Sequence, residues 1–209
     1  QPNRPSMGSW ITYGLGTENR DLPGFVVLCH RGHPRPGPTG WGSSFLPGSR
    51  AGTFVDTYQM EPAKVLRNLR HPHLSSAQQQ RQLRLLQGLN RLHLERSERD
   101  QALEARIESL ELAFRMQQAA PEAFDLSRET QATLDQYGIG SEPTSFVAGG
   151  RKCGGFAEGA LIARRLSERG VRVVQLAMAP DIPWDDHTDI HDHRPKALET
   201  DRAIAALLT

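Results

Sequence analysis

Residues 156–178 read FAEGALIARRLSERGVRVVQLAM, and this stretch decides the fold. Its first fourteen residues carry a helical pattern, with Leu161, Ile162 and Leu166 as the apolar stripe. Gly170 follows at the position where a left-handed residue closes a helix. Residues 171–178 (VRVVQLAM) then form a near-continuous apolar run, the signature of an interior parallel strand covered on both faces. Helix, glycine, strand, polar loop and helix make the repeating unit of an α/β sheet. The chain is therefore predicted to be α/β.

Open α/β sheets place their sites beyond the carboxyl ends of the strands. There this strand delivers the chain to PWDDHTDIHDH, residues 183–193. Carboxylate oxygen and imidazole nitrogen are the usual ligands of zinc, manganese and similar divalent ions. Asp185, Asp186, His187, Asp189 and His191 are thus candidate ligands, at the right topological place. His187 and His191 stand four apart and would share a face if helical, but the HExxH arrangement of metalloproteases is absent. The other reading of the same residues is a solvated turn that caps the last helix through Asp189 or Asp192.

Pro195 suits only the first turn of a helix, so the last helix is predicted to begin near Arg194, leaving His191 and His193 in the loop. Leu198, Ile204, Leu207 and Leu208 lie on or near one face of that helix. The chain then ends without a stop signal, as expected for a segment cut within a helix.

Upstream, residues 24–29 (GFVVLC) are predicted to be a buried strand, and residues 6–12 a short helix closed by Gly14 and Gly16. Residues 31–52 are crowded with Gly and Pro but hold Trp41, Phe45 and Leu46 as bulky anchors, the composition of a rim or lid loop. Residues 75–137 are helical. Leu83, Leu86, Leu89 and Leu92 repeat at helical spacing, then Leu103, Ile107, Leu110, Phe114 and Met116, and Pro121 is expected to end the run. A short helix follows Ser127, with Glu129 and Gln131 in its first turn and Gly138 at its stop. Residues 141–155 read as a loop.

The balance of 25 basic and 24 acidic residues gives no basic excess for nucleic acid or an anionic membrane. No apolar run approaches the roughly 18 residues of a membrane span. There is no signal peptide pattern, and the sequence starts at Gln1 rather than Met. Cys29 and Cys153 show no metal-binding spacing and read as core thiols or as one disulfide. His30, His33, His71, His73 and His93 read as structural or exposed. No nucleophile elbow, P-loop or dinucleotide fingerprint is present.

Several blocks together resemble the bacterial domain-of-unknown-function family 1501. They are RPSMGSWITYGLGTEN (residues 4–19), LPGFVVL (22–28), SFLPG (44–48), GTFVDT (52–57), LLQGLN (85–90), ARRLSERGVRVVQL (163–176), WDDH (184–187) and AIAALLT (203–209). The resemblance implies membership of the alkaline phosphatase and sulfatase superfamily. That membership implies a central sheet flanked by helices, one or two divalent metals (zinc, manganese or calcium) and hydrolysis of phosphate or sulfate esters of small molecules or polysaccharides. The W-D-x-H block of the family maps onto Trp184, Asp185 and His187, making these two polar residues the metal candidates, with Asp186, Asp189 and His191 as additional or supporting groups. Sulfatase-like members carry a nucleophile just before a Pro-Ser pair that opens a helix. Pro5-Ser6 resembles that spot, so Ser6 is the candidate nucleophile, with helix capping as its other reading. Family members also carry an upstream strand with a metal-binding Asp and later Gly-Glu-Phe-Gly-Arg and His-rich blocks. The chain is thus expected to be a partial domain, inactive alone, from a protein exported from the cytoplasm. A degenerate, non-enzymatic binding or structural module of the same fold is the competing expectation.

Overall fold

The computed structural model describes residues 4–30, 32–57, 74–96, 101–140, 146–147, 151–152, 155–178, 184–185 and 187–209. Asp186, His71, His73 and Cys153 lie outside them. A mixed α/β fold is built on three parallel strands flanked by helices. The strands are β1 (Phe25–Cys29), β2 (Thr53–Asp56) and β5 (Val173–Ala177), in the order β2-β1-β5. Val26 stands opposite Thr53 on one side, and Phe25 opposite Val173 on the other.

The central strand is the short run GFVVLC, and every residue of β1 is buried. Its alternation serves two layers. Val26 and Leu28 join Met116, Ala120, Phe124, Ile162 and Leu166 in one core, whereas Phe25 and Val27 pack with Trp41 in another. The VRVVQLAM run forms β5, which among the described residues is an edge strand with Gln175 exposed. This corrects the expectation of an interior strand: a continuous apolar run does not itself say which of two strands takes the middle. The strand β2 was not foreseen, although Thr53, Phe54 and Val55 are β-formers.

Helix α1 (Met7–Leu15) runs past Gly14 to its cap at Gly16. The Gly/Pro segment holds only two single 3₁₀ turns, at residues 38–40 and 48–50. Trp41 and Leu46 anchor it as expected, but Phe45 is exposed and lies against Trp10 of α1. The helical region divides into α2 (Ser76–Arg96), α3 (Gln101–Phe124) and α4 (Gln131–Tyr137). Leu86, Leu89 and Leu92 of α2 are exposed rather than core, and Gln87 of the same helix donates to Glu111 of α3 at 2.8 Å.

Pro121 does not end α3, which continues to Phe124. The last carbonyls, of Glu122 and Ala123, are satisfied by the guanidinium of Arg165, at 2.6 and 3.0 Å. That external partner lets the final turn persist beyond a proline that removes one helix donor. Glu129 precedes α4 rather than starting it; it pairs with Arg165, and Thr130 is the N-cap. Within the expected loop at residues 141–155, β3 (Phe146–Val147) and β4 (Arg151–Lys152) pair as an antiparallel ribbon.

The unit that decides the fold forms as read. Helix α5 (Phe156–Glu168) closes with Gly170 at φ +83, and Val171 N–H reaches back to the Leu166 carbonyl at 3.0 Å. This left-handed stop reverses the chain directly into β5. The last helix, α6 (His193–Leu208), packs on α5 and α4 through small residues. Ala203 and Ala206 are buried beside Ala160, Leu161 and Tyr137. Leu198, Ile204, Leu207 and Leu208 are exposed, contrary to the stripe reading. Small side chains let the helix axes approach closely, and the bulky ones are turned outward.

Candidate metal centre

All three parallel strands point their carboxyl ends to one edge. At that edge β1 is followed by His30 and β2 by Thr57. The Thr57 N–H donates to the Cys29 carbonyl at 3.0 Å, and His30 Nδ1 donates to the Thr57 carbonyl at 3.3 Å. The imidazole fills the space beside Gly155 at the start of α5, where an added Cβ would stand 2.2 Å from Nδ1. His33 packs instead against the rings of Trp41 and Phe54. His30 is partly buried and His33 exposed. Cys29 is a free, buried thiol, and burial together with the nearby Asp56 carboxylate pushes its pKa up to about 11. It is therefore a core thiol and no ready nucleophile at neutral pH.

The third strand, β5, leads toward Trp184 and the ligand-rich loop. Here Asp185 and His187 are brought together: Nε2 of His187 lies 3.0 Å from Oδ1 of Asp185, with the side chains 82% and 46% exposed. Two donors about 2.0–2.1 Å from a tetrahedral zinc ion would be about 3.3 Å apart, so this pair fits one shared cation after opening by a few tenths of an ångström. Asp186 lies outside the described residues. Asp189 is turned to the backbone: its Oδ1 accepts from His191 N–H at 2.9 Å and caps a 3₁₀ turn, residues 190–192. His187 and His191 do not share a helical face, because helical structure starts only at Ile190. Among the described residues, no group of three or more His, Cys, Asp or Glu side chains is gathered in metal-holding geometry.

The imidazole that does organise the loop is His193, absent from the candidate ligands. It is the first residue of α6 rather than a loop residue. Its Nε2 lies 2.9 Å from the Trp184 carbonyl oxygen, its Nδ1 3.2 Å from that of Ile190, and its ring stacks on the Trp184 indole at 5.9 Å. Nothing in the sequence pattern reports a contact across nine residues. The signal available was the composition Asp-His-Arg-Pro, which opens a helix and thereby fixes the direction of its first side chains.

Ser6 is the N-cap of α1. Its hydroxyl accepts from Ser9 N–H at 3.3 Å and meets the Ser9 hydroxyl at 2.8 Å. Among the described residues no hydrogen bond links it to Asp185 or His187. A cleft of about 680 Å³ opens at the opposite, amino-terminal end of the sheet, walled by Phe25, Arg50, Thr53 and Arg115. None of the predicted site residues lines it. No described helix is long and apolar enough to cross a membrane.

Comparison with curated proteins gave no match, and comparison with solved structures gave none. The model of one family, described as protein of unknown function (DUF1501), matches residues 1–209, and the chain belongs to that family.

Proposed function

We propose that this chain contributes part of the metal centre of a hydrolase acting on phosphate or sulfate esters, of the alkaline phosphatase and sulfatase kind. The observation that carries the reading is the 3.0 Å pairing of Asp185 Oδ1 with His187 Nε2, solvent-facing and downstream of a parallel strand's carboxyl end. Both donors belong to the W-D-x-H block that the resemblance assigns to metal. Asp185 supplies an anionic oxygen, and His187 supplies Nε2 once its proton moves to Nδ1. A bound divalent cation (zinc, manganese or calcium) would polarise an ester oxygen and make a bound water more acidic. Asp186 stays a candidate for an additional ligand, and further ligands come from other parts of the protein. The esters proposed are those of small molecules or polysaccharides, and the resemblance supports a protein that works outside the cytoplasm.

Calorimetric titration with Zn²⁺, repeated on Asp185→Asn and His187→Ala, tests the reading. One site lost in both variants is the expected result. Equal binding by all three chains would remove the assignment.

The competing reading is a non-enzymatic module of the same fold. It is favoured by the capping role of Ser6, whose hydroxyl is already engaged with Ser9. The two readings part on whether His187→Ala abolishes turnover of an aryl phosphate or aryl sulfate by the longest natural form of the protein.

A further inference from the structure

The side chains of His187 and Asp185 are 82% and 46% exposed. Exposed side chains on a loop lose rotamer and backbone freedom when they take up one geometry, so a metal pair of this kind needs an external restraint. We propose that His193 is that restraint, a positioning residue that fastens the start of the loop to helix α6. The proposal rests on the metal reading of Asp185 and His187.

The fastening has two parts. The first is a hydrogen bond from Nε2 to the carbonyl oxygen of Trp184, the residue immediately before Asp185, at 2.9 Å. The second is the near-parallel stacking of the imidazole on the Trp184 indole, with 25° between the planes. Together they pin both the backbone and the side chain of Trp184, which fixes where Asp185 begins. At the far end of the loop, Nδ1 faces the Ile190 carbonyl at 3.2 Å, and Asp189 closes the turn through His191 N–H. A neutral imidazole carries one N–H, so the ring donates at Trp184 and lies beside the Ile190 carbonyl without a second donated bond.

That side chain stands on firm ground. His193 opens a sixteen-residue helix whose Ala203 and Ala206 are buried against α5 and α4. The frame that carries β5 into the loop is the same frame that receives it in α6. The geometry also accounts for the tryptophan of the W-D-x-H block, which offers the ring and the carbonyl that His193 holds. Groups that orient ligands without touching the metal change metal affinity by roughly 10–100-fold when removed.

Glutamine and asparagine separate the two ends of the fastening. A glutamine amide reaches about as far as Nε2 of histidine, and an asparagine amide about as far as Nδ1. Zn²⁺ is titrated calorimetrically into the purified chain carrying His193, His193→Gln, His193→Asn or His193→Ala, with His187→Ala defining the background. In parallel, the Trp184 indole N–H signal is followed in metal-free ¹H–¹⁵N spectra, identified by its loss in Trp184→Phe. The expected result is Zn²⁺ binding weakened about tenfold or more in His193→Asn and His193→Ala, but within about threefold in His193→Gln. The indole signal should move in all three variants, because each removes the stacked ring, and least in His193→Gln. Unchanged affinity and an unmoved indole in His193→Ala would overturn the fastening and leave the metal reading standing. If the unmodified chain binds no more Zn²⁺ than His187→Ala, the metal reading fails. The fastening is then judged by the indole alone, and an unmoved signal in His193→Ala overturns it as well.

Discussion

The guanidinium of Arg165 donates from Nε to the carbonyl oxygen of Ala123 at 3.0 Å, joining the last turn of α5 to the last turn of α3. The same group reaches the Glu122 carbonyl and the Glu129 carboxylate, so one buried cation serves three acceptors. Removing it leaves two carbonyls without their donor and the Glu129 carboxylate with only Arg164, at 3.7 Å, which costs more than losing a pair at the surface. Arg165→Leu is expected to lower stability by about 3 kcal/mol in urea unfolding. Arg165→Lys should recover less than half of that, because an ammonium cannot reproduce the planar fork. A loss under about 1 kcal/mol for the leucine variant would show that the contacts are not a stabilising unit.

Gly155 is fixed by two independent constraints. Its φ is +105, and a methyl group there would lie 2.2 Å from His30 Nδ1. Gly155→Ala is expected to destabilise by about 3 kcal/mol, combining backbone strain with steric overlap. Adding His30→Ala should return part of the loss by clearing the overlap, while the strain stays. Thermal melting of the two chains decides; a double variant no more stable than Gly155→Ala alone would mean that the ring is not the obstacle.

On α6 the size of a side chain and its burial run opposite to expectation. Ala203 is fully buried, whereas Ile204 beside it is exposed. Ala203→Leu should cost about 2 kcal/mol by forcing α6 away from α5, while Ile204→Gln should change stability by less than about 0.5 kcal/mol. The reverse ranking in denaturant titration would mean that the helix is rotated in solution.

Cys29 should behave as an inert thiol that becomes a liability in alkali. Burial raises its pKa from 9.0 to about 11, so between these values the folded chain keeps a proton that the unfolded chain has released. Stability from this group is therefore complete below pH 9 and falls as pH rises toward 11. The stability difference between the Cys29 chain and Cys29→Ala should shrink across that window by about 2 kcal/mol. A difference that stays flat from about pH 8 to about 11 would contradict the shift. In a Cys153→Ser background, alkylation of Cys29 at about pH 7.5 should be slow unless the chain is unfolded.

The parts of the fold legible in the sequence are those written in local pattern. Residues 156–178 announce α5, the Gly170 stop and β5, because helix periodicity, a left-handed glycine and an apolar run are each decided within a few residues. The same locality hides what β5 does in the sheet: its place at the edge depends on β1 and β2, far away in the chain. Pro121 misled because the group that sustains the helix past it, Arg165, is contributed by another element. The stripe on α6 misled because helices joined by alanine need no bulky contact. In the loop, the carboxylate and imidazole of Asp185 and His187 were visible as residue types. Asp189 was legible as a cap too, although the turn it caps is the 3₁₀ turn just ahead of the last helix; the role of His193 was not, since a contact across nine residues exists only once the backbone has closed.

The strand order sets a schedule for synthesis. β2 follows β1 closely in the chain, but the other edge of β1 pairs Phe25 with Val173, made much later. Until the ribosome has made β5, an uncharged strand, FVVLC, presents an open row of backbone donors and acceptors. The nascent chain must be kept from its neighbours through that interval. Among the described residues, the second edge of β1 is closed only when β5 arrives.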